Sequence, residues 1–88
     1  MSYHVLLTEM AKKQLEQMDK YTSALILGWI RKNLEGCTNP RTRGKGLTSN
    51  HSGEWRYRIG DYRLIAEIKD KEVIILVLEI GHRSKIYK

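Results

Sequence analysis

The segment Glu54-Trp55-Arg56-Tyr57-Arg58-Ile59-Gly60-Asp61-Tyr62-Arg63 constrains the fold more than any other part of the chain. Apolar or aromatic residues alternate with charged ones, the period-two pattern of a strand with one side on a core and the other in water. Ile59-Gly60-Asp61-Tyr62 has the form of a two-residue hairpin turn, which needs positive φ at its centre and favours Gly and Asp. That register sets Arg58 directly opposite Arg63 and leaves Arg56 two residues along the same face. Like charges facing each other destabilise a sheet. Three guanidiniums gathered in this way imply an anion for them to hold.

The rest of the chain supplies what such a hairpin needs to pack against. Tyr3-His4-Val5-Leu6-Leu7 reads as a first strand, and Thr8 as the N-cap of a helix running to about Met18, with Glu9 in its first turn. Ala11, Leu15 and Met18 form a narrow apolar stripe on that helix. A second, more apolar helix is predicted from about Thr22 to Glu35, stopped by Gly36, and is expected to lie flat on the sheet. Residues 36–53 show no period, and a loop of that length in a small domain suggests function or mobility. Within it Gly44-Lys45-Gly46 lacks the order of a phosphate loop and is rejected as one. Strands follow at Glu54–Ile59, Tyr62–Ile68 and Glu72–Ile80; the last is nearly continuous aliphatic, which predicts a central strand covered on both faces. The order βααβββ predicts a single α+β domain over residues 1–88, a helical hairpin packed on a small antiparallel sheet.

Composition narrows the function. One cysteine, Cys37, allows neither an intramolecular disulfide nor a thiolate metal cluster, and fits a reducing compartment. The longest apolar run, Val73 to Leu78, is far too short to span a bilayer, so a soluble, cytoplasmic protein with no membrane partner is expected. Net charge is +6 and unevenly spread. Residues 1–40 carry five Lys/Arg against four Asp/Glu, whereas residues 41–88 carry eleven against six. The asymmetry points to a polyanionic partner, a nucleic acid or an acidic protein segment.

The hairpin collects Arg56, Arg58 and Arg63; the end of the last strand adds Arg83, with Tyr87 four residues later. A helical turn in the tail would put Arg83 and Tyr87 on one side. Guanidiniums grip phosphate oxygens bidentately and aromatic rings stack on unpaired bases, so these are the parts of a single-stranded RNA site. His82 is the best conventional acid/base candidate, able to titrate near neutrality beside Arg83. Strand register decides which face Glu79 occupies. Trp29, Trp55, Tyr57 and Tyr62 are assigned to the core side. No cluster has metal-ligand spacing, so no metal or other cofactor is expected.

Gly46-Leu47, Trp55-Arg56-Tyr57-Arg58, Gly60-Asp61-Tyr62-Arg63, Gly81-His82-Arg83 and Tyr87 together resemble the RelE/ParE toxin superfamily, the toxins of type II toxin–antitoxin pairs. The resemblance spans nearly the whole chain in element order. It implies a ribosome-dependent endoribonuclease that cuts mRNA without metal, the RNA's own 2′-hydroxyl attacking to leave a cyclic phosphate. Such a reaction needs a base, cations for the charge-rich phosphorane and an acid for the leaving oxygen. The family's basic positions fall on Arg56, Arg58, Arg63 and Arg83, and its catalytic or base-stacking tyrosine on Tyr87; Arg63 and Arg83 would clamp the scissile phosphate. The implied partners are the ribosome, mRNA and a cognate antitoxin with an acidic segment, with DNA met only indirectly through that antitoxin. The alternative is a ParE-like toxin, which shares the fold and the Gly-x-Tyr-Arg signature but inhibits DNA gyrase and is not a nuclease.

Two departures from the family pattern matter. Arg56 and Arg58 stand where relatives often carry lysine, and arginine stays protonated, making a good clamp and a poor proton shuttle. Proton transfer would then fall to Tyr87, His82 or the ribosomal surroundings. With Lys88 as the last residue, a C-terminal helix is expected to be absent or reduced to one turn.

Overall fold

A computed structural model of the chain describes residues 1–47 and 53–86. Its elements are β1 (His4–Leu7), α1 (Glu9–Gln17), α2 (Lys20–Asn33), β2 (Lys45–Gly46), β3 (Glu54–Ile59), β4 (Tyr62–Lys69), β5 (Ile74–His82) and a terminal helical turn α3 (Arg83–Ile86). The strands form one sheet in the order β1-β5-β4-β3-β2. The α+β architecture and the helical hairpin are as expected from the sequence. The sheet itself is mixed: β2, β3, β4 and β5 pair antiparallel in that order, but β1 pairs parallel with β5, His4 opposite Ile74 through Leu7 opposite Val77. A parallel pair needs a long crossover, and here both helices and the first three later strands lie between its partners.

Local chemistry sets the helix ends. Thr8 Oγ1 accepts from the Ala11 amide at 3.1 Å and donates to the Leu78 carbonyl at 2.8 Å, so one side chain caps α1 and ties it to β5. Asp19 caps α2, accepting from the Thr22 amide at 3.0 Å and the Thr22 hydroxyl at 2.7 Å. This cap starts α2 at Lys20, two residues before the sequence-based boundary at Thr22. Those short bonds hold the Asp19 carboxyl below the usual carboxylate range. Gly36, at φ +80, ends the helical hairpin with the left-handed turn only glycine adopts freely, and its amide bonds to the Tyr3 carbonyl.

The helices cover one face of the sheet. Ala11 and Leu15 of α1 and Ile26 and Ile30 of α2 meet Tyr57, Ile59, Leu64, Ala66, Ile75, Val77 and Ile80, all buried. Each such large aliphatic side chain contributes about 1.5–3 kcal/mol on burial. The helix closest to the sheet is α1, not the more apolar α2. Ala11 allows that approach, whereas part of the apolar surplus of α2, Tyr21 and Leu25, is exposed. Strand β5 is interior in the sheet, but its two faces are not equally covered. Ile75, Val77 and Ile80 are buried under the helices, while Ile74, Leu76 and Leu78 on the other face are half-buried. The expectation of cover on both faces fails because both helices lie on the same side.

A bulge decides the parity at the end of β5. Ile65 opposes Glu79 and Ala66 opposes Val77, which leaves Leu78 as the extra residue. From there on every β5 side chain is switched to the opposite face from the one simple alternation would give it. Ile80 thereby enters the core and His82 falls opposite Tyr62.

Candidate nucleic-acid interface

Strand β3 turns into β4 at Gly60, whose φ of +60 fits the tight two-residue connection. The register is Glu54 opposite Glu67, Arg56 opposite Ile65 and Arg58 opposite Arg63. Buried Tyr57 and Ile59 anchor the alternate positions of β3 in the core. The arginines therefore stand on the face without helices because the intervening residues cannot leave the other one. Arg58 is exposed and Arg63 half-buried; one Arg63 guanidinium nitrogen reaches the Tyr62 carbonyl at 3.3 Å.

A second short ladder completes this face. Lys45 of β2 pairs with Arg56, and Gly46 with Trp55. Gly44, Lys45, Arg56, Arg58 and Arg63 line a recess of about 220 Å³. Four cations around one small recess make a site for a polyanion, with the hairpin holding two guanidiniums face to face. Lys45 was not among the residues singled out from the sequence. Rejecting Gly44-Lys45-Gly46 as a phosphate loop was sound as to motif, yet it set aside the lysine between the glycines. The available signal was the two glycines themselves, placed where a backbone must come close. Gly44 has φ +78, and a Cβ there would stand 2.2 Å from the Arg56 carbonyl oxygen.

The other sequence candidates fall differently. Arg83 opens α3 two residues after Gly81, which pairs with Arg63, and its amide donates to the Asp61 carbonyl in the β3–β4 turn at 2.9 Å. This brings the backbone at Arg83 to the same end of the sheet as the Arg58–Arg63 pair. Tyr87 lies outside the described residues. Glu79 is opposite Ile65, in the cross-strand row of Arg56.

His82 is not brought to the arginines. It meets Tyr62 edge-on, ring centroids 5.5 Å apart, on the helix side of the sheet. There the two residues help line a separate cavity of about 500 Å³ with Gln14, Gln17 and Lys85. His82 Nδ1 accepts from the Ser84 amide at 3.2 Å and is 2.9 Å from the Ser84 hydroxyl, so the imidazole ties down the start of α3. Among the described residues no group of His, Cys, Asp or Glu could hold a metal ion, and no helix is long and apolar enough to cross a membrane.

The chain is similar to known toxins in sequence and in fold. Residues 5–87 match the model of the family described as the ParE toxin of the type II toxin–antitoxin system parDE. The toxin RelG of Mycobacterium tuberculosis is 28% identical over 88 residues, covering 100% of this chain and 99% of the relative. The toxin RelE of the same organism is 29% identical over 86 residues, covering 98% of this chain and 87% of the relative. Among solved structures, a chain of the M. tuberculosis toxin–antitoxin complex RelBE2 superposes with a TM-score of 0.85 at 26% identity, covering 94% of this chain and 100% of that one.

Proposed function

The chain belongs to the ParE toxin family of type II toxin–antitoxin systems and is a RelE-like toxin, and from that we propose that residues 1–88 form one toxin domain acting as a ribosome-dependent mRNA endoribonuclease. The observation that carries this reading is the Arg58–Arg63 pair with Arg56 and Lys45 around one recess. Such a cluster is unfavourable in the free sheet and favourable around a phosphate, most of all around a phosphorane with added negative charge. Arg58 and Arg63 stabilise that charge, Arg56 and Lys45 hold the neighbouring backbone, and Arg83 closes the site from the end of β5. The RNA supplies its own nucleophile, so the protein has to position and neutralise rather than attack.

Proton transfer is the part this chain carries least. Arginine remains protonated, and His82 faces the opposite side of the sheet. The tyrosine at 87 or groups of the ribosome then move the protons. The partner in the resting state is a cognate antitoxin, supported by the toxin–antitoxin complex that the fold matches, whose acidic segment would neutralise the arginine face.

The matched family description also favours a second reading, inhibition of DNA gyrase without nuclease activity. Induced expression followed by mapping of mRNA ends on ribosomes separates the two. Codon-phased cuts that disappear in Arg63→Ala and Arg83→Ala support the nuclease. Intact mRNA accompanied by DNA damage or loss of supercoiling would establish the gyrase reading in its place.

A further inference from the structure

The segment carrying Lys45 is held to the sheet at several separate points. The Pro40 carbonyl accepts from the buried Tyr57 hydroxyl at 2.5 Å, and the Arg43 carbonyl from the Trp55 indole at 2.6 Å. Gly44 is wedged against β3, where a Cβ would also stand 2.8 Å from Trp55 Nε1. Arg41 makes two bonds to Asp70, at 3.0 and 2.9 Å, and lies 5.9 Å from the centre of the Trp55 ring. Asp70 accepts a third bond, from the Tyr3 hydroxyl at 2.7 Å. Tyr3 in turn bonds through its amide to the Cys37 carbonyl, at the start of the same segment.

Asp70 follows β4, at the opposite end of that strand from Arg63. Seven residues of extended strand separate them by about 23 Å, beyond the reach of any direct contact with a phosphate in the recess. At that distance its charge is also largely screened at physiological salt. Yet its carboxylate grips both Arg41 on the arm and Tyr3 beside β1.

We propose that Asp70 is a positioning residue for the anion site, bracing through Arg41 and Trp55 the arm that lays Lys45 beside Arg56. The inference rests on the RNA-binding reading above. Without the brace, Arg41 loses its bidentate partner and the Trp55 ring its cation, and the arm is left with the Tyr57 and Trp55 bonds to its carbonyls and the two-residue ladder of β2 to hold Lys45 in place. Removing the carboxylate then weakens RNA binding, although it makes the protein more positive. A purely electrostatic role for Asp70 would change binding in the opposite direction.

The test uses the purified full chain and a short 2′-O-methyl RNA strand, which cannot be cleaved, with binding followed by fluorescence anisotropy from 50 to 200 mM salt. Asp70→Asn is expected to weaken binding about threefold to fivefold, the scale of an exposed ion pair, with thermal unfolding still cooperative. Lys45→Ala weakens it similarly and lowers the salt slope by about 0.7, one contact to a single strand. Combined with Lys45→Ala, Asp70→Asn adds nothing further, and the exchanged pair Arg41→Asp with Asp70→Arg recovers the part of the loss carried by the ion pair but not the part carried by the cation over Trp55. Unchanged or tighter binding in Asp70→Asn, or losses that multiply in the double variant, overturn the brace. Hydrogen exchange of the β2–β3 amides provides an arm independent of RNA. It accelerates in Asp70→Asn if the brace holds, and unaltered exchange refutes it. Failure of the unsubstituted protein to bind RNA, with no change in Arg58→Ala, overturns the functional reading and leaves the brace to be judged by exchange.

Discussion

Arg58 and Arg63 are directly opposed across the β3–β4 hairpin, two like charges in a cross-strand pair where a stable sheet would place complementary groups. The arrangement trades stability for function, and the two can be separated. Arg58→Thr, at an exposed strand position, is expected to raise the unfolding free energy by about 0.5 kcal/mol while lowering mRNA cleavage on ribosomes by about 100-fold. Denaturant unfolding and primer-extension mapping check the two halves. A variant that is both less stable and fully active would show that the pair is not a strained anion clamp.

Arg83 and His82 are neighbours in sequence with opposite expected behaviour. Arg83→Ala abolishes toxicity while leaving the fold intact. His82→Ala loosens α3, costing about 1 kcal/mol for the lost cap, and leaves the pH profile of cleavage unchanged. A cleavage rate that falls more than tenfold in folded His82→Ala, or a profile that loses a limb near neutrality, would return His82 to the proton-transfer step.

Gly44 is the least replaceable residue of the arm. Gly44→Ala combines a left-handed backbone at φ +78 with a methyl group 2.2 Å from the Arg56 carbonyl. The expected loss is about 1–3 kcal/mol in unfolding free energy, together with weaker RNA binding as Lys45 moves away. Gly36→Ala, with φ +80 but nothing within 4 Å, should cost less and leave RNA binding alone. Equal effects at the two glycines on binding would argue against the close approach at β3.

Asp70 gives a pH dependence with a definite sign. Its bonds to Arg41, and then to Tyr3, hold its carboxyl at about 2. An unfolded aspartate titrates near 3.9, so its folded form is the more acidic and contributes stability at all pH values above that range. That contribution is lost as pH falls through about 4 towards 2. The gap in melting temperature between the unsubstituted protein and Asp70→Asn should therefore be present at pH 6 and close by pH 2. A gap that persists at pH 2 would place the effect elsewhere.

The hairpin was legible because its signal is local. Alternation from Glu54 to Arg63, with Gly60-Asp61 in the middle, fixes both the faces and the pairing, and the register of Arg58 with Arg63 follows from the turn length alone. The caps at Thr8 and Gly36 are local too. The Asp19 cap shifted a boundary by two residues because Asp19 also reads as a connecting residue. The bulge at Leu78 left no comparable mark. Nothing in the nearly continuous aliphatic run from Ile74 to Ile80 announces where one extra residue will be accommodated, yet that residue moves His82 from the arginine face to the helix face. The parallel pairing of β1 with β5 joins residues about seventy positions apart, and hydrophobic pattern carries no information about such a partner.

By itself the sequence determined the arginine face: period-two alternation and turn chemistry act within ten residues and leave the guanidiniums one side of the sheet to occupy. Only the tertiary structure decided what joins them. Lys45 reaches Arg56 because Gly44 lets two backbones touch, and Asp70 reaches Arg41 across a gap of 29 residues because the sheet brings their segments together. His82 turns away because a bulge must place Ile80 in the core. The physical reason is the range of the interactions: backbone preference and periodicity act between neighbours, whereas close packing, bulges and brace contacts exist only once the sheet has closed.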